Sequence, residues 1–195
     1  MKVYFIRHGQ SMTNMQKRCG GWTQCPLSDL GMEQAKSLAP VLKDIHFDRI
    51  YSSDLLRTVQ TAKNAIPGCE PEQRWELREI GVGSTQEVLH TELREKYGQA
   101  FTDAVKNHDY TPFGGENDQM IRERVHSFMR ELETVQAENI AVVGSEGTIL
   151  HMLTYVLQAN FNIHSLRIKN CSISVLAFEN GAWKLERFAY TPALV

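Results

Sequence analysis

At 195 residues, with 42% hydrophobic and 23% charged side chains, the chain has the composition of an ordinary globular protein and enough length to bury a core without metal or disulfide support. Its net charge of −2 and pI near 6.4 exclude a broad basic face for nucleic acid, so any anion-binding charge must be local. Cys19, Cys25, Cys69 and Cys171 form neither a CxxC pair nor a metal-ligand spacing, and no apolar run approaches a membrane span, so the expectation is free thiols in a cytoplasmic protein with no metal, no cofactor and no membrane contact.

Val3 to Ile6 is a short apolar run that reads as a buried strand, entered directly from the amino terminus with no signal-peptide pattern. It ends in Arg7-His8-Gly9, with Ser11 and Asn14 just beyond. Residues 10–27 read as a loop over that strand end. Ser28 is placed as a helix N-cap, and Pro40 should kink or break the helix that follows. Phe47 to Tyr51 is a second strand, and a helix from Leu55 to Ala65 is stopped by Pro67-Gly68. Gln73 to Leu77 is expected as a third strand before Arg78-Glu79. Residues 81–116 read as a helical lid inserted over the pocket, in which Tyr97, Phe101, Tyr110 and Phe113 either line the pocket or pack the lid onto the body. A helix runs from Glu116 or Asn117 to about Gln136, a strand spans Ile140 to Val143, and a further helix runs from Thr148 to Gln158. Two strands flanking Asn180-Gly181 carry a strong hairpin signal. This order predicts one domain over 1–195 of the α/β class: three layers, with helices on both faces of a mostly parallel sheet and an antiparallel edge hairpin.

In a parallel sheet the carboxyl ends of the strands share one rim, where such folds bind ligands. That rim gathers Arg7, His8, Asn14, Arg57, Glu79 and the turn from Gly144 to Gly147. Two guanidiniums suit a phosphoryl group because each presents paired planar donors. Gly147-Thr148 adds a helix N-terminus, a second source of anion-directed N–H groups.

The same stretches carry a family resemblance. Arg7-His8-Gly9-Gln10-Ser11 with Asn14, Pro26-Leu27-Ser28 through Gly31 and Gln34-Ala35, Ser52-Ser53-Asp54-Leu55 with Arg57 and Gln60-Thr61-Ala62, Leu77-Arg78-Glu79, Gly114-Gly115-Glu116, and Val142-Val143 to Gly147-Thr148 resemble the histidine phosphatase superfamily, in its phosphoglycerate mutase-like branch. The resemblance implies His8 as nucleophile and Glu79 as proton donor and acceptor. It implies Arg7, Asn14 and Arg57 as ligands of the phosphoryl oxygens, with Ser145 and Gly147 beside them. It departs from the family at Ser145, where a second histidine normally donates to the phosphoryl group, and at Glu146, where glycine is common. Ser145 is an engineered replacement, a natural one in a weak or repurposed enzyme, or one that another group compensates. The expected function is hydrolysis of a small phosphorylated metabolite. The alternatives are a non-catalytic phosphate binder and a mutase-type phosphotransferase, and the chain is compatible with a homodimer.

Overall fold

The computed structural model describes residues 1–158 and 165–192. Strands β1 (Lys2–Arg7), β2 (Arg49–Ser52), β3 (Glu72–Gln73), β4 (Asn139–Gly144), β5 (Ile173–Glu179) and β6 (Ala182–Tyr190) form one sheet in the order β3-β2-β4-β1-β5-β6. The β1–β4, β2–β4 and β2–β3 pairs are parallel, and β5 runs antiparallel to both β1 and β6. The sheet is therefore mostly parallel with an antiparallel edge, as the sequence predicts. The hairpin turn works because Asn180 and Gly181 both take positive φ, 51° and 75°, as a two-residue turn of this twist requires.

Side-chain alternation along the central strands separates two cores. Val3, Phe5, Ile140 and Val142 face one side, under α7 (Asp118–Leu132), α8 (Glu146–Leu157) and the helices α5 (His90–Tyr97) and α6 (Gln99–Asn107). Ile6 and Val143 face the other, under α2 (Asp29–Lys36), α3 (Ala39–Leu42) and α4 (Leu56–Ala65). Within the segment expected as a lid, Leu93, Phe101, Ala104 and Tyr110 are buried in the same cluster as β1 and β4. Phe101 and Tyr110 therefore serve packing, and Tyr97 and Phe113 meet edge-on against them.

The break expected at Pro40 falls a few residues earlier, after Lys36, and Pro40 itself sits in the first turn of α3, where its missing N–H has no helical partner to lose. Two expectations are corrected. The third strand covers only Glu72–Gln73, and Trp75–Leu77 turns as a 3-10 segment that carries Glu79 back towards the rim. Residues 10–27 are not all loop, because α1 (Met12–Gln16) forms there under a reciprocal cap: Ser11 Oγ accepts from the Asn14 N–H and Asn14 Oδ1 accepts from the Ser11 N–H.

The start of α2 lies directly against the end of β1. Ser28 Oγ accepts from the Gly31 N–H at 3.1 Å and donates to Gln10 Oε1 at 2.8 Å. A Cβ on Gly9 would overlap the Gly31 carbonyl, and one on Gly31 would overlap that of Gln10, so glycine at both positions permits this approach.

Candidate active site

His8 follows the last residue of β1 and is 4% exposed. Its backbone N–H donates to the Gly144 carbonyl of β4 at 3.0 Å, and its carbonyl accepts from the side-chain Nδ2 of Asn170, in the segment before β5, at 2.9 Å, so the ring's origin is held from both sides. Nδ1 lies 2.7 Å from the Gly9 carbonyl. A carbonyl only accepts, so Nδ1 carries the proton and Nε2 keeps its lone pair.

Arg57, in the first turn of α4, is 2% exposed. Nη1 donates to the Thr23 carbonyl at 3.0 Å and Nη2 to the Gly21 carbonyl at 2.8 Å. These bonds to the loop before α2 fix the guanidinium plane. Thr61 Oγ1 donates to the Arg57 carbonyl at 2.7 Å and accepts from the Gly9 N–H at 3.0 Å, tying α4 to the residue after His8.

Glu79 is held through both carboxyl oxygens: Oε1 accepts from the Ile80 N–H at 2.8 Å and Oε2 from the Gly147 N–H at 3.2 Å. The Gly147 amide, expected to face an anion, is thus directed at the Glu79 carboxyl group. A Cβ at residue 147 would overlap Glu79 Oε1, so glycine makes room for that carboxyl group. The Glu79 carbonyl accepts from Trp22 Nε1 at 2.8 Å and Arg124 Nη2 at 2.9 Å. Asn14 is exposed on α1 with its Oδ1 engaged in the cap. Ser145 is the fully buried N-cap of α8, yet its side chain makes no cap bond and its Oγ has no hydrogen-bond partner. Arg7 Nη1 donates to the Ile168 carbonyl and lies 3.3 Å from Glu146 Oε2, while Arg7 Nε is buried without a partner.

Burial pushes the His8 imidazole well below its usual range, and the charges of Arg57 and then Arg7 push it further the same way. Burial also lowers Arg57, against the opposing pull of Cys25 and Glu79, although a guanidinium stays charged at ordinary pH. The two cations are therefore electrostatic neighbours of a neutral imidazole, and the Glu79 carboxyl group acts on one of them, Arg57.

A depressed histidine means that below about pH 6.5 the unfolded chain binds a proton that the native chain refuses. The stability His8 contributes is complete above that value and is lost as pH falls towards the native one. A His8→Asn variant is thus expected to lose less thermal stability than the parent between pH 7.5 and 5.5. Equal losses in the two proteins would contradict the depressed value.

Sequence reasoning names these rim residues but misses their supports. Arg124 on α7 is 6% exposed and uses every N–H it has. Nε and Nη2 donate to the two Glu116 carboxylate oxygens, Nη1 to the carbonyls of Glu76 and Arg78, and Nη2 also to that of Glu79. Glu116 Oε2 accepts in addition from the Gly81 N–H at 2.8 Å. The available signal was an arginine within the apolar stripe of Ile121, Val125 and Phe128. Arg78 forms a two-pronged pair with Asp54 at 2.7 and 2.5 Å and lies over the Trp22 ring.

Among the described residues no helix is long and apolar enough to cross a membrane. The sequence profile of the histidine phosphatase superfamily (branch 1) matches residues 3–191. A probable phosphoglycerate mutase GpmB of Cronobacter sakazakii is 28% identical over 191 residues, covering 94% of this chain and 87% of that protein. Its Salmonella typhi counterpart is 29% identical with the same coverage. The α-ribazole phosphatase of Shigella flexneri superposes with a TM-score of 0.88 at 23% identity, covering 98% of this chain and 97% of that one. A mycobacterial glucosyl-3-phosphoglycerate phosphatase superposes with a TM-score of 0.85 at 26% identity, covering 96% and 98%. With its fold shared across the full length and its profile matched almost end to end, the chain belongs to branch 1 of the histidine phosphatase superfamily.

Proposed function

We propose that this chain hydrolyses a small phosphate monoester through a phosphohistidine at His8. The observation that carries the reading is the buried His8 ring, with Nδ1 tied to the Gly9 carbonyl, Nε2 unprotonated, and Arg57 and Arg7 as its cationic neighbours. In the first step Nε2 attacks phosphorus in line, the P–O bond to the leaving group breaks, and Glu79 protonates the departing oxygen. In the second, Glu79 takes a proton from water, the water oxygen bonds to phosphorus, and the P–N bond breaks to release inorganic phosphate and free imidazole. Arg57 and Arg7, with Asn14 from α1, meet the charge on the equatorial oxygens. The substrate is a small phosphorylated metabolite, and no nucleic acid or membrane partner enters the reading.

Ser145 occupies, in this reading, the place of the family's second histidine, with a shorter and uncharged donor. Loss of one donor of this kind costs roughly 10²–10³ in rate. Ser145→His is therefore expected to raise kcat/KM on p-nitrophenyl phosphate by that order, and His8→Ala to remove turnover from parent and variant alike. Parent turnover that survives His8→Ala would overturn the proposal. A second reading, a phosphate binder without turnover, draws support from the unpartnered Ser145 hydroxyl and the Glu146–Arg7 pair. It predicts phosphate binding with no parent hydrolysis. Phosphoglycerate interconversion in the same assay series tests the mutase alternative.

A further inference from the structure

We propose that Glu146 is an internal competitor for Arg7, which the phosphoryl group must displace, and that this residue sets how tightly the site holds phosphate. The inference rests on the function proposed above, since it concerns the same anion site.

Glu146 opens α8, next to the Ser145 cap, and its side chain is 24% exposed. Its two carboxylate oxygens have separate tasks. Oε2 lies 3.3 Å from Arg7 Nη1, and Oε1 accepts the Ile168 N–H at 2.9 Å. Arg7 Nη1 also donates to the Ile168 carbonyl. The three residues thus close a triangle that joins the end of β1, the start of α8 and the strand of chain leading into β5. One edge of the Arg7 guanidinium is committed to this triangle, while its Nε is buried and unpaired. An arginine meant to grip a phosphoryl group through paired donors is here partly neutralised and turned towards a carboxylate of its own chain.

A phosphoryl dianion entering beside Arg7 meets Glu146 as a like charge and as a rival for the same donors. Both effects weaken its binding, and both act on substrate and on product phosphate. The pairing is only partly buried, so the effect is moderate and not the full value of a buried ion pair. Displacement also has a structural consequence. If Arg7 turns to phosphate, the triangle opens, and the Ile168 amide becomes easier to exchange with solvent.

The test is the affinity for inorganic phosphate by calorimetry, in the full-length parent, Glu146→Gln, Glu146→Ala and Arg57→Ala. Glutamine keeps an acceptor for the Ile168 N–H and removes the charge; it is expected to tighten phosphate binding about tenfold and to lower KM for p-nitrophenyl phosphate more than it alters kcat. Alanine is expected to tighten binding in the same direction and serves if the glutamine variant does not fold. In the parent, saturating phosphate should speed hydrogen exchange at the Ile168 amide. Unchanged or weaker phosphate binding in the folded variants, with binding still lost in Arg57→Ala, overturns the role of Glu146 and leaves the phosphatase reading intact. Parent binding that ignores Arg57→Ala overturns the phosphatase reading, and this inference with it.

Discussion

Replacing Arg124 by alanine is expected to cost about 3–5 kcal/mol of folding stability, the range typical of removing one partner from a buried ion pair. Arg124 is 6% exposed, and its guanidinium supplies donors to the Glu116 carboxylate and to the carbonyls of Glu76, Arg78 and Glu79. Its removal leaves a buried carboxylate facing those carbonyls with no cation. Lysine should rescue little, because one ammonium cannot reach acceptors spread over both sides of a planar fork. The same contacts brace the backbone on which Glu79 is carried, so the folded fraction of a lysine variant should also turn over more slowly. Urea unfolding monitored by fluorescence measures the first effect, and kcat corrected for folded fraction measures the second. A loss below about 1 kcal/mol would show that the network is dispensable.

Arg57→Ala is expected to lower kcat/KM on p-nitrophenyl phosphate by about 10²–10³, the usual cost of one preorganised donor to a developing oxyanion. Two backbone carbonyls, those of Thr23 and Gly21, hold the guanidinium before any ligand arrives. Under the proposed function it would act without the reorganisation that a freely rotating side chain needs. Arg57→Lys should recover little, since lysine cannot satisfy both carbonyls and still present paired donors to phosphate. The effect should fall on kcat as well as KM if the residue serves the transition state more than the ground state. A change confined to KM would instead make Arg57 a docking residue.

The fold was largely legible because its cues are local. Apolar runs such as Val3 to Ile6 and Ile140 to Val143 show where the sheet is, Pro40 shows that one continuous helix cannot run through it, and Asn180-Gly181 shows where the hairpin turns. Elements too short to display a period were legible only in part, for a third strand shows in the sequence without its bounds, and α1 does not show at all. The five-residue α1 is set by one reciprocal cap, and β3 by two residues of pairing. At the candidate site the sequence offers the rim residues but not their obligations. Nothing local to Gly147 says that its amide faces Glu79, sixty-eight positions away. Nor does anything near Arg7 foretell Glu146, because the pair exists only once β1 and β4 lie side by side and deliver both chain ends to one rim. Arg124 could have been found from its place among Ile121, Val125 and Phe128, since a charge on a buried stripe needs a buried partner.

The phosphoenzyme itself offers the most direct trial. Parent protein is mixed with a labelled aryl phosphate, quenched without acid, digested and mapped by mass spectrometry, with His8→Ala alongside. The account predicts label on the residue 8 imidazole of the parent and none in the variant; label on any other side chain, or steady turnover by the variant, would contradict it.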